Sequence, residues 1–124
     1  MLALIMAVKD KASDEEKEVA TGAATRLLKG GGVDVTETDG NGRNALWWAC
    51  VRGLDAVALR LLDIGGVDVD AKSSATGRTV LWSACYSGLD AVALRLLDIG
   101  GVDVDAKDST NGTNVLYWAC YEGL

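Results

Sequence analysis

The sequence contains no histidine, and this absence removes much of the usual catalytic chemistry. Histidine is the commonest general base near neutral pH and the commonest metal ligand. The remaining residues offer no nucleophile–base pair, so we expect a protein that is not an enzyme, with no catalytic residue and no cofactor. Support for an enzyme would require a pocket of converging acids with raised pKa values.

Proline and phenylalanine are also absent, and basic side chains are few: 12 against 18 acidic ones, for a net charge of −6. This balance argues against a nucleic-acid or anionic membrane partner, because phosphate binding needs clustered Lys and Arg. No apolar run reaches the roughly 18 residues of a membrane span. The N-terminus lacks the basic lead-in of a signal peptide, so we expect a cytoplasmic protein by default.

Cysteine is scarce, and its three copies, Cys50, Cys85 and Cys120, are evenly spaced by 35 residues. A metal site or a redox pair is one interpretation. The odd count and the lack of a Cys-x-x-Cys motif argue against zinc and against a disulfide framework. We therefore expect small buried apolar side chains at one position of successive repeats.

The segment GLDAVALRLLDIGGVDVDAK occurs twice without any difference, at 53–72 and at 88–107. The two starting glycines, Gly53 and Gly88, set a repeat period of 35 residues. A supersecondary unit repeated at such a period cannot bury its apolar face alone and stacks on its neighbours. The sequence therefore predicts a solenoid.

Turn and capping residues divide each unit into two helices. Asn44 is a predicted cap for a short helix over 45–52, and Gly53 ends that helix. Asp55 is a predicted cap for a second helix, which stops at Gly65 and Gly66. In the next copy the equivalent positions are Thr79, Gly88 and Asp90.

We divide the chain into four units: an atypical capping repeat over 1–38, full repeats over 39–73 and 74–108, and a half repeat over 109–124. The first unit contains the capping-box pattern Ser13 to Glu16. The last unit lacks its second helix. It is a fragment of a longer array, a tolerated frayed end, or an edge that another chain covers.

This plan resembles the ankyrin repeat, two antiparallel helices and a turn with a Thr-Pro-Leu-His-x-Ala signature. The matching segments are Asn44-Ala45-Leu46-Trp47-Trp48-Ala49, Thr79-Val80-Leu81-Trp82-Ser83-Ala84 and Asn114-Val115-Leu116-Tyr117-Trp118-Ala119. The cap, the Leu and the Ala match, whereas the Pro and the His do not. The resemblance implies an all-α, ankyrin-like solenoid of stacked helix-turn-helix repeats with short β-turn or hairpin fingers. A generic helical-hairpin solenoid is the alternative.

The resemblance also implies a non-catalytic module that binds a partner protein on its concave surface. Trp47, Trp82 and Tyr117 take the family's His position, where we expect packing between repeats. The adjacent positions differ between the two copies and carry residue types common at interfaces. The predicted partner-binding residues are Arg43, Trp48, Val51, Arg52, Arg78, Tyr86, Ser87, Trp118, Tyr121 and Glu122.

Three other hypotheses use the same residues differently. Self-assembly through the open C-terminal half repeat would give a dimer or a head-to-tail oligomer. Stacking of nucleic-acid bases on the aromatic residues is disfavoured by the acidic charge balance. A calcium site at Asp68 and Asp70 lacks the following Gly and Glu of a calcium loop, so we expect no metal.

Overall fold

The computed structural model describes residues 2–8, 12–31 and 34–99. Within these ranges the chain forms helices α1 (Leu2–Met6), α2 (Asp14–Gly30), α3 (Ala45–Val51), α4 (Asp55–Ile64), α5 (Val80–Tyr86) and α6 (Asp90–Ile99). The half repeat at 109–124, with the predicted site residues Trp118, Tyr121 and Glu122, lies outside the described residues, as do Tyr117 and Cys120. The unit boundaries given above stay a prediction.

The helices stack in two layers. The short helices α1, α3 and α5 pack against one another in chain order, and α2, α4 and α6 form a second layer beside them. Each short helix also contacts the longer helix that follows it. This arrangement confirms the predicted all-α solenoid of helical hairpins.

The turns before α3 and α5 form small fingers without a β-sheet. Single antiparallel bridges join Thr38 to Asn44 and Lys72 to Thr79. Asn41 O accepts a hydrogen bond of 2.9 Å from Ser74 N, so one finger contacts the next. The predicted β-turn fingers are therefore present in both described repeats.

Side-chain caps begin α3 and α5. Asn44 Oδ1 accepts from Trp47 N at 2.9 Å, and Thr79 Oγ1 accepts from Trp82 N at 3.1 Å. The prediction that Asp55 caps α4 is wrong, because Asp55 is the first residue inside that helix and Leu54 takes the cap position without a side-chain hydrogen bond. The Asp55 carboxylate accepts from the adjacent Ala56 N at 3.0 Å.

Glycine ends the short helices where a left-handed backbone is required. Gly53 has φ +72° and Gly88 has φ +70°, and each lies two residues before the first residue of the next helix. A residue with a Cβ is strained at this φ, which explains why both copies have glycine there. The tight turn positions each helix pair antiparallel, so that both helices contribute to one core.

The core lies between the two layers. Every residue from Ala45 to Cys50 is buried, and α4 contributes Val57, Ala58, Leu61 and Leu62. Helices α3 and α5 are thus almost enclosed, and the residues at their C-terminal ends and in the preceding turns remain as their accessible surface. That surface contains the candidate site.

Candidate functional site

We define the first-helix surface as Arg43, Val51, Arg52, Arg78, Tyr86 and Ser87, the described members of the predicted site that are not buried. These residues belong to the ends of α3 and α5 and to the turns before them. Tyr86 is the most accessible large side chain among them, at 52% exposure. The other five are half-buried.

An aromatic cluster in the first repeat is organised by Arg43. Its guanidinium carbon lies 4.6 Å from the Trp48 ring centroid and 5.3 Å from that of Trp47. The two indoles meet edge to face, with centroids 5.2 Å apart. A guanidinium over an aromatic face is attracted by the ring quadrupole, so the three side chains restrain one another.

The carboxylate of Asp39 connects Arg43 and Trp48 through hydrogen bonds. One carboxylate oxygen accepts from Arg43 Nε at 2.7 Å and from Trp48 Nε1 at 3.1 Å. The other accepts from the backbone amides of Asn41 and Arg43. Burial acts to raise the pKa of Asp39, but these hydrogen bonds outweigh it and leave the pKa below its ordinary value of 3.8.

Trp48, one of the predicted partner-binding residues, is buried. Arg52 places its guanidinium carbon 4.9 Å from the Trp48 centroid, in addition to the stacking of Arg43. Only 9% of Trp48 remains accessible. The two guanidinium groups cover the indole, so a partner on this side contacts arginine before it contacts tryptophan.

The second repeat has a different cluster around Arg78. The Arg78 guanidinium carbon lies 4.3 Å from the Trp82 centroid and 5.9 Å from that of Tyr86. The Trp82 and Tyr86 rings are stacked, with centroids 5.1 Å apart and an interplanar angle of 13°. Tyr86 therefore presents one fixed face to solvent.

A cavity of about 160 Å³ opens beside this second cluster. Its lining is formed by Val51, Arg78, Trp82, Ser83, Tyr86 and Ser87. Ser83 is 1% exposed, and its Oγ has no hydrogen-bond partner among the described residues. The structure thus brings Val51, Arg78, Tyr86 and Ser87 of the predicted site together around one cavity.

Trp47 and Trp82 are buried, as expected for residues that pack between repeats. They are 5% and 1% exposed. Trp47 Nε1 donates to the carbonyl oxygen of Arg78 at 2.9 Å, across the boundary between the two repeats. Tryptophan thus supplies a hydrogen bond between repeats at the position where ankyrin repeats usually have histidine.

Cys50 and Cys85 are buried and reduced. Burial, with a smaller effect of Cys85, raises the pKa of the Cys50 thiol. Burial and then the nearby Asp90 carboxylate raise the pKa of Cys85 to about 11. Thiols act as nucleophiles and metal ligands only as thiolates, so we expect both side chains to be unreactive at neutral pH.

The described residues contain neither a metal-ligand cluster nor a membrane-spanning helix. No three His, Cys, Asp or Glu side chains of residues 2–8, 12–31 and 34–99 come together as possible metal ligands. None of the helices in those ranges is both long enough and apolar enough to cross a bilayer.

Comparison with known families agrees with the architecture. The family model for ankyrin repeats in three copies matches residues 4–108, which is most of the chain. The chain belongs to the ankyrin repeat family. No curated protein matches its sequence. Ankyrin repeats are generally protein–protein interaction modules and are typically non-catalytic.

Sequence reasoning missed Asp39 and the cavity beside Ser83. A signal for the arginine stacking was present, because Arg lies four residues before the first Trp in both copies, as Arg43 to Trp47 and Arg78 to Trp82. No such signal indicated the role of Asp39. The corresponding turn of the next repeat is one residue longer and has a serine, Ser73, at the position of Asp39.

Proposed function

We propose that this ankyrin-repeat chain is a non-catalytic module that binds a partner protein on its first-helix surface. The observation that carries the proposal is the fixed, exposed ring of Tyr86, stacked on Trp82 and flanked by Arg78. Tyr and Arg are enriched among the residues that dominate binding energies. A side chain already held in one position loses little entropy on binding, which favours affinity.

The arrangement of the aromatic rings also bears on the kind of partner. Binding of single-stranded nucleic acid depends on open aromatic faces on which bases stack. In the first repeat, guanidinium groups cover Trp48, and in the second repeat Trp82 lies beneath Tyr86. Tyr86 keeps one open face, whereas Trp48 and Trp82 are covered, and the net charge of −6 favours a protein partner over a nucleic acid. The cytoplasmic location stays a prediction from the sequence.

A matched pair of substitutions tests the proposed surface. Tyr86 and Leu94 are both large and exposed, at 52% and 59%, but they lie in different helix layers. Affinity capture with the whole chain, followed by mass spectrometry, would identify candidate partners. We expect Tyr86→Ala to weaken the purified partner's binding about tenfold or more, and Leu94→Ala to leave it unchanged. Unchanged affinity with Tyr86→Ala would reject the proposal.

Self-assembly is the second candidate function, and one observation on α6 favours it. Helices α4 and α6 have the same sequence, and α6 packs against α4. Leu62 of α4 is 7% exposed, whereas its equivalent Leu97 is 50% exposed. The apolar position that is buried on α4 is therefore largely uncovered on α6, where a second chain could pack against it.

Light scattering after size exclusion distinguishes the two candidates. Self-assembly predicts a molar mass that rises with protein concentration and returns to that of one chain in Leu97→Lys. A constant mass of one chain over the whole concentration range would exclude self-assembly and leave partner binding as the function.

A further inference from the structure

Helix α6 ends the described stack with exposed leucines. Leu94 and Leu97 are 59% and 50% exposed, whereas their equivalents on the identical helix α4, Leu59 and Leu62, are half-buried and buried. Helix α4 has a neighbour on each side in its layer, α2 and α6, whereas α6 contacts only α4 among the described helices of that layer. The two leucine positions that are covered on α4 are therefore accessible on α6.

A groove between α1 and α2 forms the other end of the described stack. Its cavity of about 440 Å³ is lined mainly by apolar side chains, among them Leu4, Val8, Val19 and Ala23. The side of α2 that faces α4 contains Lys17, which lines a different cavity together with Leu54. Two residues turn an α-helix by about 200°, so Val19 lies on the opposite side of α2 from Lys17. Val19 is 67% exposed there, and the groove is open.

An ion pair accompanies the packing of α6 on α4. Arg95 Nη2 donates to Asp63 Oδ1 at 2.6 Å. The equivalent of Asp63 on α6 is the exposed Asp98, and the equivalent of Arg95 on α2 is the exposed Arg26, because Arg-Leu-Leu occurs in both helices. Arg26 comes seven residues after Val19, which places the two within about 20° of each other around the helix. The groove end thus offers an arginine and the α6 end an acid.

We propose that a second copy of the chain binds α6 head to tail, a specification that rests on self-assembly, the second candidate function. Leu94 and Leu97 of one copy pack into the groove between α1 and α2 of the next copy, and Asp98 pairs with Arg26 of that copy. The contact reproduces between two chains the packing that joins α4 to α6 within one chain. Each added copy brings one new surface of each kind, so association continues into open oligomers.

The charges favour this arrangement over a two-fold dimer through α6. In an antiparallel pairing of two α6 helices centred on Leu94, Asp90 of one copy would meet Asp98 of the other, since both lie four residues from the centre. Like charges at such a contact weaken association. The head-to-tail contact instead places Asp98 beside Arg26. The acids that border the groove lie in the first turn of α2, roughly 15 Å along the helix from Arg26.

Two substitutions that block one surface each test the proposal. Leu97→Lys charges the leucine surface, and Val19→Lys charges the groove. Both side chains are exposed, so we expect both variants to fold. Ile64→Lys is the control, because Ile64 is also 50% exposed but belongs neither to α6 nor to the groove.

Sedimentation equilibrium over a concentration series measures the outcome. We expect the mass of the wild type and of Ile64→Lys to rise past that of two chains, and each blocked variant alone to stay at one chain. An equimolar mixture of Leu97→Lys and Val19→Lys retains one open surface of each kind, so it should form a dimer and nothing larger. No association in that mixture would overturn the proposal.

Exchange of the two charges tests the ion pair. Asp98→Arg and Arg26→Asp should each weaken association about tenfold, and the two changes in one chain should restore it to within about threefold. A folded double variant that associates no better than the single ones would contradict the pairing of Asp98 with Arg26.

The blocked variants also separate the possible failures. Association of Val19→Lys as strong as that of the wild type, with none in Leu97→Lys, would indicate a two-fold contact through α6. That result would overturn the head-to-tail contact and keep self-assembly. A wild type that stays at the mass of one chain over the whole concentration range would reject self-assembly itself, and the head-to-tail contact with it.

Discussion

Asp39 is the residue on which the aromatic cluster of the first repeat depends. Its side chain is 9% exposed and accepts hydrogen bonds from Arg43 Nε, Trp48 Nε1 and two backbone amides. Removing a buried acceptor leaves its donors without partners, which costs more than the hydrogen bonds themselves contribute. Asp39 thus fixes the turn and the arginine that covers Trp48.

Replacing Asp39 with Ala should lower the free energy of unfolding by about 2 kcal/mol, because several donors lose their acceptor at once. Asp63→Ala is the control, since Asp63 pairs with Arg95 at 2.6 Å but its side chain is 57% exposed. An exposed ion pair contributes about 0–1 kcal/mol. Urea unfolding of both variants measures the difference, and equal losses would contradict the assigned role.

The same carboxylate gives a pH dependence with a defined sign. The folded-state pKa of Asp39 is below its ordinary 3.8, so the charged form contributes stability above that pH. This contribution falls as the pH drops through the lower folded-state pKa. The stability difference between the wild type and Asp39→Asn should therefore be largest near neutral pH and shrink below about pH 4. A difference that grows on acidification would contradict the sign.

Trp48 shows what sequence reasoning could not resolve at this scale. The position and residue type of Trp48 predicted that it lies on the binding side of the helix and contacts a partner. Two arginines from the same repeat stack on it and leave 9% exposed. Those contacts depend on the path of the turn before Asn44 and on the rotamers of Arg43 and Arg52, which a single sequence does not specify.

At the level of the helix, most of the structure could be predicted. The caps at Asn44, Thr79 and Ser13 were readable because a side-chain oxygen directly precedes each helix and accepts from its third amide. The start of α4 could not be resolved in the same way. Asp55 has the composition of a cap, but the tight turn at Gly53 shifts the helix start so that Leu54 caps it.

The three caps should differ in their contribution to stability. Asn44 is 1% exposed, and its Nδ2 also donates to Asp68 O at 3.0 Å, so it joins two segments of the repeat. We expect Asn44→Ala to cost about 2 kcal/mol, Thr79→Ala about 1 kcal/mol, and the exposed Ser13→Ala about 0.5 kcal/mol. Thermal and urea unfolding test this order, and a larger loss for Ser13→Ala than for Asn44→Ala would contradict it.

The identical helices α4 and α6 provide a matched comparison in one molecule. Leu62 is 7% exposed and Leu97 is 50% exposed, although both occupy the same position of the sequence DAVALRLLDI. We expect Leu62→Ala to cost about 2–3 kcal/mol and Leu97→Ala less than about 1 kcal/mol. Equal losses in a dilute urea titration would mean that α6 is covered in solution, which would favour self-assembly.

At the level of the whole molecule, stacking of near-identical units explains both the stability and the available surface. Among the described helices, each unit contacts only its neighbours, and the two layers bury the repeated apolar positions between them. The exact repeat could predict this architecture, because a supersecondary unit repeated at a period of 35 residues buries its apolar face by stacking on its neighbours. The sequence could predict individual residues that line the cavity. That they come together beside Ser83 follows from the packing of α3 against α5.

The central claim is that a partner protein binds the surface formed by the short helices. Hydrogen–deuterium exchange of the whole chain, alone and saturated with the purified partner, tests it most directly. We expect new protection in peptides covering 43–52 and 78–87, with no change over α2, α4 and α6. Protection confined to α6, or to α2 and α4, would place the partner on the other layer and contradict the account.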